Sequence, residues 1–530
     1  MSDTHVVTNQ VPPLENYNPA SSPVLIEALI QEGGQWGLDE VNEVGAISAS
    51  CQAQRWGELA DRNRPILHTH DAYGYRVDEV EYDPPYHELM RTAITHGMHA
   101  APWADDRPGA HVVRAAKTSV WTVEPGHICP ISMTYAVVPA LRYNSELAAV
   151  YEPLLTSREY DPELKPATTK AGITAGMSMT EKQGGSDVRA GTTQATPNAD
   201  GSYSLTGHKW FTSAPMCDIF LVLAQAPDGL SCFLLPRVLP DGTRNRMFLQ
   251  RLKDKLGNHA NASSEVEYDG AVAWLVGEEG RGVPTIIEKH FTRLDALGQC
   301  TSMRTGNPAP PCPASEGVRR LPDRPAVDAQ RAGRPGGGGQ AATIVAMRMA
   351  GATDNAVRGN ETERAACIGL AATQVDVHKR FTAHAAEALE CLGGNGYVED
   401  SGMPRLYEAP LMGIWEGSGN VSALDTLRAM ATRPACVEVL FDELARSAGQ
   451  DPRLDGHVER LRPQLGELEE LARKIAETSA WRCRDRCWCA TDIPPSPRRF
   501  WPLGSAASGA ERTAPCRPVW ISRPSSSVRW

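Results

Sequence analysis

Glu416 lies in the stretch GIWEGSGN (413–420), behind Ile414 and Trp415 and ahead of two glycines within three residues. A carboxylate set among apolar bulk is poorly solvated when ionised, so its pKa rises and it becomes a better base near neutral pH. The same acid could instead cap a helix starting near Val421, a position where acids are common. A second stretch, MSMTEKQGGSDV (177–188), offers Thr180, a glycine pair and Ser186. Hydroxyls and unobstructed backbone N–H groups of this kind suit a ring edge or a phosphate, or an ordinary capped loop. In HKWFTS (208–213), Trp210 and Thr212 fall on one side of a strand by period two. A flat aromatic beside a hydroxyl can flank a planar heterocycle, or it can simply fill a half-buried strand. LGGNGY (392–397) allows a close backbone approach just past a helix.

These groups need elements to hold them. The first 45 residues are rich in Pro, Asn and Gly and read as an extended arm. Residues 46–172 read as a helical domain: HELMRTAITHGMHA places Leu89, Ala93 and Met98 near one face, and PALRYNSELAAVYEPLL behaves similarly. Past residue 172 the texture changes to short β-branched and aromatic runs, SYSLTGHKWFTSAP, DIFLVLAQ and LSCFLLPRVL, separated by PNADG, APDG and LPDG turns. That pattern predicts an antiparallel β domain over 173–284. Helical texture returns as a bundle over 285–440, where Gly393 is placed to stop the helix TAHAAEALECLGG. A further helical region over 441–478 carries Leu454, Val458, Leu461, Leu465, Leu468 and Ile475 at three- and four-residue steps.

Two segments break the pattern. Between residues 306 and 339, fourteen of thirty-four residues are Gly or Pro, and no apolar period survives. The tail 479–530 holds five of the chain's twelve tryptophans and nine arginines against three acids. A basic tail can touch nucleic acid, and CRDRCWC within it could bind a metal. Both segments, 306–340 and 479–530, read better as text from a shifted reading frame or as disorder, so no metal site is expected. The GGGG run at 336–339 lacks the Lys-Ser/Thr of a phosphate loop.

The chain has 530 residues, 41% of them hydrophobic and 22% charged, which is ordinary for a globular protein of several domains. A net charge of −11 argues against general coating of nucleic acid, though not against a local basic patch. No run of about eighteen apolar residues suggests a membrane span. The start lacks the basic and apolar regions of a signal peptide. Thirteen cysteines scattered singly through apolar segments point to reduced thiols in the cytoplasm, where the sequon at Asn261 has no meaning.

The order of these motifs carries a resemblance. A helical domain, MTEKQGGSDV, KWFTS, a second helical domain, LGGNGY and WEGSGN together resemble the acyl-CoA dehydrogenase family of flavoproteins. The long arm, the wording TEKQGGSD, the segment RLKDKLGN and the extra C-terminal helices are similar to its AidB-like branch, which belongs to the response to DNA alkylation. The resemblance covers about 17–261 and 341–477. It implies an α+β acyl-CoA dehydrogenase fold with FAD between the β domain and the second bundle. It implies that Met179 and Thr180 contact the flavin ring, that Ser186 serves the pyrophosphate, and that Trp210, Phe211 and Thr212 lie against the isoalloxazine. Gly393 and Gly394 would approach the FAD of a neighbouring subunit in a homotetramer, and Ser418 and Asn420 the diphosphate and adenosine side.

Glu416 aligns with the general base of the straight-chain dehydrogenases. That reaction removes a weakly acidic proton beside a thioester while a hydride leaves the β-carbon, so the base needs a raised pKa. Arg428 could pair with that carboxylate and weaken it as a base. Asp295, in TRLD, stands near an alternative base position, or is a helix-surface acid. The branch implies feeble dehydrogenation of short branched acyl-CoA and binding of double-stranded DNA through the C-terminal helices. Arg460, Arg462, Arg473 and Lys474 could meet phosphates there, or form a solvated face. Two alternatives remain: a protective DNA-binding flavoprotein with vestigial catalysis, and a catabolic isovaleryl-type dehydrogenase. The family's Arg-x-Phe-Gly segment is missing, since it would fall within 306–339.

Overall fold

The structure is a computed structural model that describes residues 17–286, 325–366, 369–408 and most of 411–459, together with residues 4, 294 and 298. Helices α1 (Pro23–Gln31) and α2 (Leu38–Ser48) occupy the stretch expected as an arm. Leu25, Ala28, Leu29, Val41 and Val44 give each helix a buried face, and that apolar stripe outweighs the turn-forming residues around it. The hydroxyl of Ser50 caps α3 (Cys51–Arg62) by accepting from the Ala53 N–H at 3.2 Å.

A hairpin of β1 (Ile66–His70) and β2 (Arg76–Glu81) then interrupts the region expected to be helical. Its cause is local: the Asp71 carboxylate accepts the N–H groups of Tyr73 and Tyr75 at 2.8 and 2.9 Å, and Gly74 takes a φ of 83°. Helices α4 (Pro84–Thr95), α5 (Ala110–Val120), α6 (Ile128–Leu141) and α7 (Ser145–Thr156) complete this region. Every residue of α5 and α6 is buried. The charged and ring-bearing members of α5 survive burial because each has a partner. Lys117 reaches Glu40 at 2.5 Å, Arg114 donates to the His99 carbonyl at 3.0 Å, and His111 meets the Tyr135 hydroxyl at 2.6 Å.

The β domain comprises β3 (Ala175–Ser178), β4 (Gln194–Pro197), β5 (Tyr203–Ser213), β6 (Ile219–Ala226), β7 (Gly229–Pro236), β8 (Met247–Leu252) and β9 (Ser263–Val276). Strand order runs β3-β6-β4-β5-β9-β7, β8 adds to β9, and β7 pairs back onto β6. The path therefore closes through β6, β4, β5, β9 and β7, which leaves only the short β3 and β8 with a single partner each. Most pairs are antiparallel, as expected, but β3 and β4 both lie parallel to β6, so the sheet is mixed. The reason is the loop between β3 and β4, long enough to bring the chain back in the same direction.

Beyond α8 (Gly282–Ile286), α9 spans Pro325–Val357, so helix begins inside the segment 306–340 that shows no apolar period. The buried Ala342, Ala346, Met347 and Ala350 further along α9 supply the packing that holds it, in one core with α1, α2, α4 and α5. Helices α10 (Glu361–Ala366), α11 (Gly369–Leu392), α12 (Met403–Tyr407), α13 (Gly419–Thr432) and α14 (Ala435–Ala445) follow. Gly393 ends α11 with a φ of 61°, the left-handed conformation that only glycine adopts freely. The tail 479–530 and most of the amphipathic stretch beyond residue 452 lie outside the described residues.

Candidate functional site

The loop that follows β3 is stitched to β5 by three consecutive cross-links. The hydroxyls of Ser178 and Thr212 share a hydrogen bond, the Trp210 N–H donates to the Thr180 carbonyl at 2.8 Å, and the Lys209 ammonium donates to the Glu181 carboxylate at 2.8 Å. Two candidate groups from stretches about thirty residues apart thus form one structure.

A bulge in β5 between Lys209 and Thr212 alters the period-two expectation for this strand. The extra residue leaves Lys209 and Thr212 both buried, with the half-buried Trp210 and the half-exposed Phe211 between them. Thr212 therefore faces inward against Ser178, while Lys253 covers the Trp210 ring 3.0 Å from its centroid and lies 4.8 Å from that of Phe211. Lys182 and Arg251 each stand 5.8 Å from the Trp210 ring. Glu265 ties Arg251 and Lys253 together at 2.7 and 2.6 Å. Cations over an indole face are held by its quadrupole.

Glu181, adjacent to Thr180, is the hub of the loop. Its two oxygens accept the N–H and hydroxyl of Thr192, the N–H and hydroxyl of Thr193, and the Lys209 ammonium. Burial alone raises a carboxyl pKa, but these donors outweigh it and hold Glu181 down to about 2. Burial pulls Lys209 downward. Strand β5 passes so near that a Cβ on Gly207 would lie 2.6 Å from the Thr193 Cα. Motif reading alone passes over Glu181 and Lys209, although each adjoins a candidate contact in TEKQ and HKWF.

The remaining candidates are distributed as follows. Met179 is half-buried and packs on the core shared by α6, α7 and the sheet. Gly184 has a φ of 103°, and a Cβ there would meet nothing within 4 Å; Ser186 follows in a short 3-10 turn. Gly393 and Gly394 are exposed, with open space where a Cβ would stand. Ser418 occupies the N-cap position of α13, and Asn420 lies in its first turn. Trp415 packs against both the helical and the β-domain cores, and its indole N–H is buried without a partner among the described residues. Arg428 is exposed and pairs with Asp425 at 3.5 Å, three residues earlier on α13. Glu416, Asp295, Arg460, Arg462, Arg473 and Lys474 lie outside the described residues.

A second polar cluster joins three segments. Asp61, His259 and Glu408 bring ligand-type atoms within 4.8 Å of one another. Burial first, then the neighbouring Asp61, pushes Glu408 up to about 8, and burial raises Asp61 as well. Burial lowers Lys255, nearby, to about 8. Asn261, the residue of the sequon, is buried in the same loop.

Helices, a closed sheet and helices again, with a Gly-rich loop locked to a Trp-Phe-Thr strand, define an acyl-CoA dehydrogenase type of chain. Family models agree: residues 9–162 match the AidB N-terminal domain of adaptive response proteins, and residues 176–271 match the acyl-CoA dehydrogenase middle domain. AidB of Escherichia coli (strain K12) is 42% identical over 89% of both chains. Among solved structures, Caenorhabditis elegans ACDH-11 in complex with C11-CoA superposes with a TM-score of 0.78 at 25% identity, over 91% of this chain and 85% of that one. Butyryl-CoA dehydrogenase of Megasphaera elsdenii, at 17% identity and a TM-score of 0.56 over 77% of this chain and 98% of that one, shares the fold. The chain belongs to the AidB branch of the acyl-CoA dehydrogenase family, a family of FAD-dependent oxidoreductases.

Proposed function

We propose that the chain oxidises an acyl-CoA at its α,β-bond, with Glu416 as the base that takes the α-proton. The observation that carries this reading is the stitching of the 177–188 loop to the KWFTS strand through Ser178–Thr212 and Thr180–Trp210. The open backbone at Gly184, Gly393 and Gly394 suits a nucleotide cofactor lying close to the main chain. FAD, when bound, takes up the hydride lost from the β-carbon. Met179, Thr180, Trp210 and Phe211 would border its ring system, with Thr212 buried behind them on Ser178, and Ser186, Ser418 and Asn420 would border its phosphate and adenosine portions. The C11-CoA held by the worm relative supports a CoA thioester as the substrate class; short branched chains are the specific form proposed. Tyr397 and Val398, exposed to 86% and 52% beside Gly393 and Gly394, support a homotetramer in which these surfaces meet another copy. No helix among the described residues is long and apolar enough to cross a membrane, and a cytoplasmic location is proposed.

A second reading, protective binding of double-stranded DNA with vestigial catalysis, is supported by the match to the adaptive response family model. Purified protein is tested first for bound flavin by its visible spectrum and by counting FAD per chain. Glu416→Gln protein should keep its flavin and lose bleaching by acyl-CoA. If that variant bleaches as fast as the parent, Glu416 is not the base. DNA binding that persists in a non-bleaching variant favours the second reading.

A further inference from the structure

We infer that the buried Glu181–Lys209 pair is the positioning device of the flavin site, setting where Thr180 and Trp210 stand relative to each other. The inference rests on the flavin reading above. Both side chains are 1% exposed, and the ion pair spans 2.8 Å. Each partner adjoins one of the two residues whose main chains are hydrogen-bonded, Thr180 and Trp210. A displacement of either charge therefore moves a candidate ring contact directly.

The bulge explains why such a pin is needed. An extra residue in β5 leaves two ways for the strand to face, and slippage by one residue would turn Trp210 and Phe211 to the other side. Lys209–Glu181 lies before the bulge and Thr212–Ser178 after it, so two cross-links straddle the extra residue and force the aromatic pair outward. The carboxylate is itself held by four donors from Thr192 and Thr193, which ties the far end of the loop to the same point. A fully desolvated ion pair is a poor source of stability, because losing water costs about as much as the attraction returns. What such a pair secures here is a single register.

The test uses the full chain, purified and stripped of flavin, then titrated with FAD. Glu181→Gln and Lys209→Met each leave one buried charge or dipole uncompensated and should lower both the thermal midpoint and the FAD affinity. The double variant carries no unpaired charge. It should recover a thermal midpoint close to that of the parent while binding FAD about tenfold more weakly or worse, because preorganisation is lost. Thr192→Val, which removes one hydroxyl donor to Glu181 and no charge, should weaken FAD two- to fivefold by the same logic, with about the parent's midpoint. Affinity that recovers together with the midpoint in the double variant, or parental affinity in Thr192→Val should the double variant not fold, overturns the positioning role. A parent chain that binds no FAD overturns the flavin reading and this inference with it.

Discussion

Arg348 on α9 faces three carboxylates from other parts of the helical region, one of which, Glu443, also pairs with Arg446 at 3.2 Å. It binds Glu363 of α10 through two nitrogens at 2.8 and 3.2 Å, and Glu443 of α14 at 3.1 and 3.2 Å. Glu32, just past α1, stands 3.9 Å away. The side chains of Arg348, Glu363 and Glu32 are about four-fifths covered, and that of Glu443 about two-thirds. Arg348→Met keeps the apolar stem and deletes the charge. Removing one partner from a fully buried pair costs about 3–5 kcal/mol, and from an exposed pair below about 1 kcal/mol. The partial cover here places the loss at about 2–4 kcal/mol at pH 8.

The pH dependence makes this prediction sharper. Burial raises Glu32 from an ordinary 4.5 to about 7, with Arg348 opposing and the other two acids adding to the rise. A carboxyl whose folded-state pKa is raised contributes stability that is fully present below its unfolded value and lost as pH rises through the folded one. Without Arg348, Glu32 and Glu443 lose the charge that holds their carboxyls down, so the variant loses more over that window than the parent. The difference between the two should shrink to about 1 kcal/mol at pH 5, where the acids take up protons, and widen to its full size by pH 8. Urea denaturation followed by far-UV circular dichroism at pH 5, 6.5 and 8 measures it. An equal difference at all three values would refute the reasoning, since it would mean that Arg348 acts through packing alone.

Two further outcomes follow from the same structure. Gly176 pairs with Phe220 across the parallel β3–β6 ladder, and a Cβ on it would lie 2.4 Å from the fully buried Phe220 ring. Gly176→Ala should therefore cost about 1–3 kcal/mol by overpacking, read as a lower urea midpoint; an unchanged midpoint would show that the ring can shift. Glu408, raised from 4.5 to about 8, weakens the fold progressively as pH climbs between those values. Glu408→Gln removes that titration, so its stability relative to the parent should rise from pH 5 to pH 8 and then level off. A flat comparison over this range would mean that Glu408 ionises freely in the folded chain.

The motifs were legible in the chain because their information is local. The glycine pair before Ser186, the Trp-Phe-Thr run and the switch from helical to alternating apolar texture each declare themselves within a dozen residues. So did the end of α11 at Gly393, since a left-handed residue after a periodic run needs no distant partner. The β1–β2 hairpin was equally local, written in DAYGY, yet the surrounding helical periodicity obscured it. Helices α1 and α2 became helices through apolar faces that only the wider core rewards.

What the sequence by itself determined was which residues are candidates for chemistry and the order of helical and β texture along the chain. The tertiary structure decided how those residues face. Period two puts Trp210 and Thr212 on one side of a strand, but the bulge in β5 turns Thr212 inward to Ser178 and leaves Trp210 under three cations. Asp61, His259 and Glu408 converge from segments about 150 to 200 residues apart, and Glu181 finds Lys209 across a closed sheet. Backbone propensity acts between near neighbours, whereas desolvation and charge pairing act between groups that only the packed chain brings within a few ångströms. The order of motifs was therefore open to reading, and their electrostatics were not.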